Sequence, residues 1–406
     1  MSEPVVVVGL GAEGLDGLNP RALGAVRDAT FLAGGVRNLR LVGPTAAETF
    51  PVTDNIPALL DRLAGRGPEE RCVVLVTGDP LFYGIGHAIL QRLGRDEVRV
   101  ETAVSAMQRA FARVGLSWHD AAIASVHGRP VSPTLLPHLG RPKIGLFTRD
   151  GDSPAEVARF FRDRDLAGLY DAWVCEDLGS PGEAVTPAPL ADLVGRRFGP
   201  LNVLILVRRD PIGPDRLDTA DEAFSRPPAG PVLLTHQDVR ALVVRRFRGL
   251  GGGPIWDVGA GLGGVTIELA REFPGTEVVA FERAPAQVAY LKTNRLRFAA
   301  YNARIVQGEA PGCLRGEAPP AGVFLGGSGG HLAAILDAVT EQLLPRGRLV
   351  ANFVGLEHLT SVWERLRGLG WNPELTQVQV SEGRPLAGLT TLVPQRPVWV
   401  VRAEKP

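Results

Sequence analysis

A glycine-rich segment in the second half of the chain has the residue types and spacing of a turn that binds a small molecule. Residues 255–264 read IWDVGAGLGG, and a helix-like segment, VTIELAREF, follows. Glycines permit a tight turn and let a ligand lie against bare backbone, next to the partly positive N-terminus of the helix. The carboxylate of Asp257 would meet the cationic amino-acid end of a ligand, whereas it would repel a pyrophosphate.

Two later strand ends carry polar residues that suit a nucleoside. Glu282 ends the strand-like VVAFE, where a carboxylate can accept hydrogen bonds from both hydroxyls of a ribose. The next strand, RIVQ, ends at Gly308, Glu309 and Ala310, beside the place expected for an adenine. Open α/β sheets bind ligands at the carboxyl ends of their strands, so these residues are expected at one edge. Glu309 is either an adenine neighbour or an ordinary strand-end carboxylate.

Two interpretations of the glycine turn compete. Gly259, Gly261 and Gly264 satisfy the G-x-G-x-x-G pattern of dinucleotide dehydrogenases, which is weak evidence by itself. The distal LLPRGRLVANF, followed by strand-like segments near Val378 and Val398, resembles the end of class I S-adenosylmethionine methyltransferases. This resemblance and Asp257 favour a methyltransferase. A tight turn without a ligand is the remaining alternative.

A second glycine cluster, FLGGSGGH at residues 324–331, follows the fourth strand-like run of this half. Its four glycines, Gly326, Gly327, Gly329 and Gly330, suggest close approach of the backbone to a bulky planar substrate or to the cofactor. His331 would either bind a substrate carboxylate or begin the next helix as an exposed residue.

The first half contains a comparable set of strand-end motifs. Gly9, Leu10 and Gly11 follow a run of valines, and TGDPLFYGIG at residues 77–86 leaves a buried strand through a Gly-Asp-Pro turn. VSAMQ, SVHGR and TRDGDSPAEVA come later in the same half. As a dinucleotide fingerprint the first glycines are poor, because no long helix begins immediately after them.

The elements that position these motifs alternate between short β-branched runs and helix-like segments, which indicates α/β sheets covered by helices. Residues 211–231 contain five prolines and no apolar periodicity, as expected of a linker. We therefore predict one domain at residues 1–212 and a second at residues 213–406.

Composition restricts the classes of partner. The 406 residues include 44 basic and 44 acidic side chains, so no global field attracts nucleic acid. The N-terminus lacks a basic and apolar leader pattern, and no long apolar run predicts a membrane helix. Three widely spaced cysteines read as buried hydrophobic residues, and no Cys/His cluster predicts a metal site. We expect a cytoplasmic protein without metal, membrane or nucleic-acid partners.

Taken in order, the motifs of the first half resemble the tetrapyrrole (corrin/porphyrin) methylase family, in particular its CbiE branch. The second half, with LTHQDVRAL before the glycine turn and FLGGSGG after it, resembles CbiT. Their fusion resembles the CobL-type family of decarboxylating precorrin-6B methyltransferases. The implied fold is α/β: an N-terminal tetrapyrrole methylase of two α/β subdomains, followed by a C-terminal Rossmann-like class I methyltransferase.

The resemblance also implies an activity: methylation of precorrin-6B at carbons 5 and 15, and loss of carbon dioxide from the acetate on carbon 12, giving precorrin-8 in cobalamin biosynthesis. It implies two S-adenosylmethionine sites per chain, and we expect a homo-oligomer. We expect the decarboxylation in the second domain. Alternatives are an RNA methyltransferase, another corrinoid or porphyrin methyltransferase, and a non-catalytic binding protein.

Site residues follow from matching the family motifs to this sequence. The first cofactor site is expected to comprise Leu10, Gly11, Thr77, Gly78, Asp79, Phe82, Ser105 and Ala106. The second is expected to comprise Thr235, Gly259, Ala260, Gly261, Leu262, Gly263, Glu282, Glu309 and Ala310. Arg129 and Arg240 are expected substrate contacts, because arginine suits bidentate binding of substrate carboxylates. Gly327, Ser328 and Gly329 are expected substrate contacts through the backbone of the second glycine cluster. His127 and His331 are the catalytic candidates, and Ala12 departs from the proline of many family members.

Overall fold

Short apolar strands and amphipathic helices alternate along the chain in a computed structural model, which describes residues 3–210, 219–228 and 234–406. The chain forms two compact units. The first unit comprises Met1–Arg129, Pro142–Arg159 and Gly168–Arg209, and the second comprises Pro130–Arg141, Phe160–Ala167 and Asp210–Pro406. Most of the predicted linker, at residues 211–218 and 229–231, lies outside the described residues.

The first sheet of the first unit is entirely parallel, with the strand order β3-β2-β4-β1-β5. Its strands are β1 (Val5–Leu10), β2 (Phe31–Gly34), β3 (Glu48–Pro51), β4 (Cys72–Thr77) and β5 (Val98–Glu101). Its helices are α1 (Pro20–Arg27), α2 (Val36–Val42), α3 (Ile56–Ala64), α4 (Gly86–Leu93) and α5 (Ala106–Val114). Val5 and Val7 pack into one apolar cluster and Val6 and Val8 into another, so both faces are covered. Burial on both faces explains the uninterrupted run of valines.

The second sheet of this unit is mixed, with the order β6-β7-β10-β8-β9. Its strands are β6 (Ala122–Ser125), β7 (Lys143–Phe147), β8 (Tyr170–Glu176), β9 (Ala184–Pro189) and β10 (Asn202–Arg208). Only the β6–β7 pair is parallel. Two helices, α6 (Val131–Leu135) and α7 (Ser153–Arg162), lie among these strands in the sequence. The two sheets confirm the predicted pair of α/β subdomains.

The second unit has a seven-stranded sheet in the order β13-β12-β11-β14-β15-β19-β16, in which β19 and β16 are antiparallel to their neighbours. Its strands are β11 (Ile255–Val258), β12 (Val278–Glu282), β13 (Ala303–Gln307), β14 (Gly322–Leu325), β15 (Arg348–Phe353), β16 (Glu374–Val378) and β19 (Val398–Glu404). Its helices are α8 (Gln237–Arg245), α9 (Gly264–Glu272), α10 (Pro285–Arg297), α11 (Leu332–Gln342) and α12 (Leu356–Gly368). A separate hairpin joins β17 (Ser381–Leu386) to β18 (Leu389–Pro394).

The strand order of this sheet reverses between β11 and β14, which creates a crevice at the carboxyl ends of the strands. The glycine turn follows β11, and the second glycine cluster follows β14. The predicted Rossmann-like fold of the second half is therefore confirmed. No helix within the described ranges is long and apolar enough to span a bilayer. Cys72 and Cys175 are buried and Cys313 is partly buried.

Candidate active sites

A cavity of about 840 Å³ opens at the crevice of the second unit. Most of the residues predicted for this site line it: Thr235, Gly259, Ala260, Gly261, Glu282, Glu309, Ala310, Gly327, Ser328 and Gly329. These residues come from five separate places in the chain, and the parallel strands bring them to one edge of the sheet.

The two glycine clusters contact each other directly through backbone atoms. Gly259 has a φ of 77°, and a Cβ added there would lie 2.3 Å from the carbonyl oxygen of Gly327. The backbone N–H of Gly326 donates to the carbonyl of Val258 at 3.0 Å, which holds the second cluster against the end of β11. Glycine at position 259 is therefore required both by conformation and by space.

Glu282 stabilises the glycine turn from the end of β12. One carboxylate oxygen accepts a hydrogen bond from the Gly261 N–H at 2.9 Å, and the other accepts one from the Ala284 N–H at 2.9 Å. Each carboxylate oxygen has a second lone pair, so both can also accept from the hydroxyls of a ribose. The side chain is partly exposed and lines the cavity, as this role requires.

Asp257 lines the same cavity but is only 1% exposed. The Thr266 hydroxyl donates to one carboxylate oxygen at 2.5 Å. The other oxygen, Oδ1, is buried without a hydrogen-bond partner in the described part of the chain. Burial raises the pKa of Asp257 to about 7, because the charged carboxylate is poorly solvated there. A cationic ligand group would compensate the buried charge.

Leu262 and Gly263, which were predicted to contact a cofactor, lie on the side of the turn that packs against α10. Leu262 is 1% exposed, and its carbonyl accepts a hydrogen bond from Asn294 Nδ2 at 3.0 Å. Gly263 precedes α9 with a φ of 88°, and a Cβ there would lie 2.1 Å from Leu291 Cδ1. Neither residue lines the cavity, because the backbone turns away from it to enter α9.

Arg240 is also placed differently from its prediction as a substrate contact. Its side chain is 0% exposed and forms ion pairs with Asp221 and Glu268. Its guanidinium also donates to the carbonyl oxygens of Thr219 and Thr235. A guanidinium that is fully buried among four protein acceptors is not accessible to a substrate carboxylate, so Arg240 holds the segment before α8 in place.

At the rim of the cavity, Arg283, Glu309 and His331 form a polar cluster. Arg283 Nη1 lies 3.0 Å from Glu309 Oε1, and His331 Nε2 lies 3.4 Å from the same oxygen. His331 is exposed, occupies the N-cap position of α11 without a capping hydrogen bond from its side chain, and is absent from the cavity lining. These contacts fit the interpretation of His331 as an exposed residue at the start of a helix.

Several further polar residues line this cavity and were not predicted from the sequence, among them Arg226, Gln287, Asn352 and Arg396. None belongs to a glycine turn, and only the folding of distant segments brings them to the site. Arg226 and Arg396 are exposed and have no ion-pair partner in the described ranges. They are better placed than Arg240 to bind a carboxylate.

The first unit has its own cavity of about 680 Å³ at the carboxyl ends of β1 and β4. All eight predicted cofactor residues line it: Leu10, Gly11, Thr77, Gly78, Asp79, Phe82, Ser105 and Ala106. His127 and Arg129 line it as well. Asn38, buried beside Thr77 and hydrogen-bonded to it at 3.2 Å, is a lining residue that no motif indicated.

The Gly-Asp-Pro turn packs tightly against the end of β1. A Cβ on Gly9 would lie 2.1 Å from the Gly78 carbonyl oxygen, and the Gly78 N–H donates to the Leu10 carbonyl at 2.8 Å. Ser105 caps α5 in a capping box with Gln108, and Ser105 and Ala106 at the start of that helix line the cavity. Ala12 stands where many family members have proline, and its side chain packs close to Gly179.

The side chains around this cavity favour binding over nucleophilic chemistry. Phe82, Tyr83 and Phe147 form a cluster of rings with centroids 5.3–5.6 Å apart. Arg129 lies 5.8 Å from the Tyr83 ring centroid and His127 is exposed. Burial raises the pKa of the Cys175 thiol to about 12, so this cysteine remains a neutral thiol.

Together, the fold and the two cavities define a chain of two methyltransferase units. Residues 4–194 match the tetrapyrrole (corrin/porphyrin) methylase family, and residues 230–405 match the precorrin methyltransferase domain family. The chain is 30% identical over 413 residues to the precorrin-6Y C(5,15)-methyltransferase (decarboxylating) of a Sinorhizobium species, covering 98% of this chain and 97% of that one. The chain belongs to this family, whose members are methyltransferases that use S-adenosylmethionine.

Two shorter relatives from Salmonella typhimurium each match part of the chain. Its cobalt-precorrin-6B C(15)-methyltransferase (decarboxylating) is 40% identical over 186 residues, covering 46% of this chain and 95% of that protein. Its cobalt-precorrin-7 C(5)-methyltransferase is 37% identical over 155 residues, covering 38% of this chain and 76% of that protein.

Proposed function

We propose that this chain methylates precorrin-6B at carbons 5 and 15 and removes carbon dioxide from the acetate on carbon 12, giving precorrin-8. The observation that carries the proposal is the presence of a separate cavity in each unit, lined by the strand-end turns of two methyltransferase families. Each cavity would bind one S-adenosylmethionine.

The residues of the second cavity fit this cofactor. Glu282 would accept hydrogen bonds from the ribose hydroxyls, and the glycine turn would let the cofactor lie against the backbone. The unpartnered oxygen of Asp257 would accept a hydrogen bond from the cofactor's ammonium group. S-adenosylmethionine supplies an activated methyl group, so the protein's main task is alignment of the two reactants, worth up to about 7–11 kcal/mol.

We assign the decarboxylation and the methylation at carbon 15 to the second unit, and the methylation at carbon 5 to the first. In Salmonella typhimurium the corresponding names belong to two separate shorter proteins, which supports a division of activities between two domains. We keep residues 1–212 and 213–406 as these domains, since the two family matches end at 194 and begin at 230.

Substrate carboxylates would be bound by Arg129 in the first cavity and by Arg226 and Arg396 in the second. Position 396 is held in place by its neighbour, because the Gln395 N–H donates to the Val380 carbonyl at 2.9 Å and the Gln395 carbonyl accepts from Gln379 Nε2 at 2.6 Å. An anchored backbone at this position reduces the conformational freedom that the segment carrying Arg396 loses when it binds.

We further propose a cytoplasmic homo-oligomer without a nucleic-acid partner. The balanced charge disfavours nucleic acid. The hairpin of β17 and β18 exposes Leu386, Leu389 and Leu392, at 62%, 77% and 69%, which supports self-association. Sedimentation of the purified chain, compared with a Leu389→Lys variant, tests the oligomer: a monomeric wild type would contradict it.

Product analysis with two variants tests the proposed division of activities. Glu282→Ala should impair cofactor binding in the second unit, and Ala106→Phe should fill the first cavity. With precorrin-6B, and at a cofactor concentration that saturates only the wild type, we expect Glu282→Ala to reduce carbon dioxide release and methylation at carbon 15 strongly. Ala106→Phe should retain both and lose only methylation at carbon 5. Mass spectra and carbon NMR of the products distinguish these outcomes, and the opposite pattern would reverse the assignment.

A further inference from the structure

Asn352, near the end of β15, presents an unpaired amide to the second cavity. Both Nδ2 and Oδ1 are buried, and neither has a hydrogen-bond partner in the portion of the chain that the structure describes. Two other buried asparagines of this unit differ. Asn294 Nδ2 donates to the Leu262 and Ser225 carbonyls, and Asn302 Nδ2 donates to the Phe273 and Thr276 carbonyls.

A buried amide without hydrogen-bond partners lowers the stability of the folded chain, so its presence at a cavity indicates a function in binding. Leaving a buried donor or acceptor unpaired costs about 1–3 kcal/mol each. Most buried polar groups in folded proteins are paired for this reason. Because the amide of Asn352 lies at a cavity wall, a bound molecule can supply the missing partners.

The side chain of Asn352 lies on the same face of the sheet as Asp257 and Phe324. In β15 it alternates with Ala351 and Phe353, whose side chains point to the opposite face of the sheet. In β11, Asp257 likewise alternates with Trp256 and Val258, and these four apolar side chains belong to one buried cluster on that opposite face. Phe324 lies between them on β14, and all three residues line the cavity.

The strand order separates Asn352 from the cofactor contacts. Glu282 is on β12 and Ala310 follows β13, both on one side of β11, whereas β15 is two strands away on the other side. At about 4.8 Å per strand, β15 lies roughly 10 Å from β11. A cofactor that follows the glycine turn towards β12 and β13 therefore leaves the β15 side of the cavity to the methyl acceptor.

We propose that Asn352 binds the methyl acceptor through both groups of its amide. Nδ2 donates to a carboxylate oxygen of the acceptor, and Oδ1 accepts from a pyrrole N–H. The acceptor class is a tetrapyrrole with acidic side chains, so this inference rests on the proposed function. Asn352 then fixes the orientation of the macrocycle in the second cavity and has no role in the first.

Three variants of the full-length chain test this role. Asn352→Leu has a similar size and removes both polar groups. We expect the KM for precorrin-6B in the carbon dioxide release assay to rise about tenfold or more. Asn352→Asp keeps an acceptor but loses the donor and adds a negative charge, so a larger rise, about a hundredfold, is expected. Asn302→Leu is the control, since its amide is paired and lies outside the cavity lining.

Stability and cofactor binding provide the readouts that a structural role would change. Without ligand, Asn352→Leu should melt at or above the wild-type temperature, whereas Asn302→Leu should melt several degrees lower. S-adenosylmethionine affinity at both sites should stay within about twofold of wild type in both Asn352 variants.

Normal kinetics of Asn352→Leu in an otherwise active enzyme would overturn the inference and leave the proposed function intact. Loss of cofactor affinity would reassign Asn352 to the cofactor, and a fall in melting temperature like that of Asn302→Leu would reassign it to the fold; each overturns the inference. A wild-type chain that does not turn over precorrin-6B would overturn the proposed function and this inference with it.

Discussion

At the scale of single residues, two carboxylates of the second cavity differ in environment although both lie at or near the end of a strand. Glu282 is partly exposed and accepts two backbone hydrogen bonds. Asp257 is buried, one of its oxygens has no hydrogen-bond partner among the described residues, and burial raises its pKa to about 7. The first is suited to neutral hydroxyl donors, whereas the second is suited to a cation that compensates its buried charge.

The first prediction concerns Glu282. Glu282→Ala should weaken S-adenosylmethionine binding in the second unit by about 1–3 kcal/mol, because the ribose hydroxyls and the Gly261 N–H lose their acceptor. Titration calorimetry on the full chain measures this change. Glu272→Ala is a matched control, since Glu272 pairs with Arg248 and does not line the cavity. Unchanged affinity in Glu282→Ala would make Glu282 a purely structural strand-end residue.

The second prediction concerns the pH dependence of stability and Asp257. Because burial raises its pKa to about 7 in the folded chain, the folded state binds this proton more tightly than the unfolded state. The contribution of this bound proton to the free energy of unfolding is complete below the ordinary aspartate pKa of about 3.9, and it is lost as pH rises through about 7. Asp257→Asn stays neutral, so its stability relative to wild type should increase from pH 5 to about 7 and then level off.

Urea unfolding of the wild type and Asp257→Asn without ligand, at a series of pH values, measures the difference between their free energies of unfolding. If this difference does not change with pH, Asp257 has the same pKa in the folded and the unfolded chain. Adding S-adenosylmethionine to the wild type should release a proton below about pH 7, since the bound cation favours the carboxylate. Asp257→Asn should release none on binding at the second site.

At the scale of elements, glycine turns at strand ends build both sites. In the second unit the turns after β11 and β14 support each other through the contact of Gly259 with Gly327. Gly329 has a φ of 55°, so a branched side chain there would strain the backbone whether or not the residue contacts a substrate. Replacement of Gly329 is therefore a poor test of substrate contact.

The third prediction uses the contact between the two turns. Gly259→Ala should lower the melting temperature and greatly reduce cofactor binding in the second unit, because the new methyl group would overlap the Gly327 carbonyl. Gly251→Ala is the control: a Cβ there meets nothing within 4 Å and its φ is not positive. Thermal melts and calorimetry measure both effects. Normal binding by Gly259→Ala would show that the turns can separate without loss of function.

At the scale of the whole molecule, the chain joins two methyltransferase units that are built on different sheets. The first unit places its cavity at a parallel sheet of five strands, and the second at a sheet of seven strands with an antiparallel edge. Among the described residues, each cavity is lined by residues of its own unit alone. The sites should therefore bind ligand independently.

The fourth prediction is a cofactor stoichiometry. Wild-type chain should bind two molecules of S-adenosylmethionine, Glu282→Ala or Ala106→Phe should each retain one tight site, and the double variant should retain none. Equilibrium dialysis with labelled cofactor counts them. If the wild type binds a single cofactor molecule and only one of the two variants loses it, then only the unit that carries that substitution binds the cofactor.

Local sequence was sufficient to predict the α/β class, the glycine turns and the positions of Glu282 and the Gly-Asp-Pro turn. These features depend on neighbouring residues: apolar runs form buried strands, and glycine supplies positive φ where a strand must turn. All eight residues that the family motifs predicted for the first cofactor site line one cavity, since they lie at or near the ends of parallel strands that meet at one edge of a sheet.

Only the tertiary structure decided which distant side chains meet. Arg240 lies in a sequence motif, yet Asp221 and Glu268 pair with it in the core, so it cannot reach a ligand. Asn352 lies in an ordinary strand, and its amide is exceptional only because no described neighbour pairs with it at the cavity wall. Pairing and burial of a side chain depend on segments far apart in the chain, and no local pattern records them.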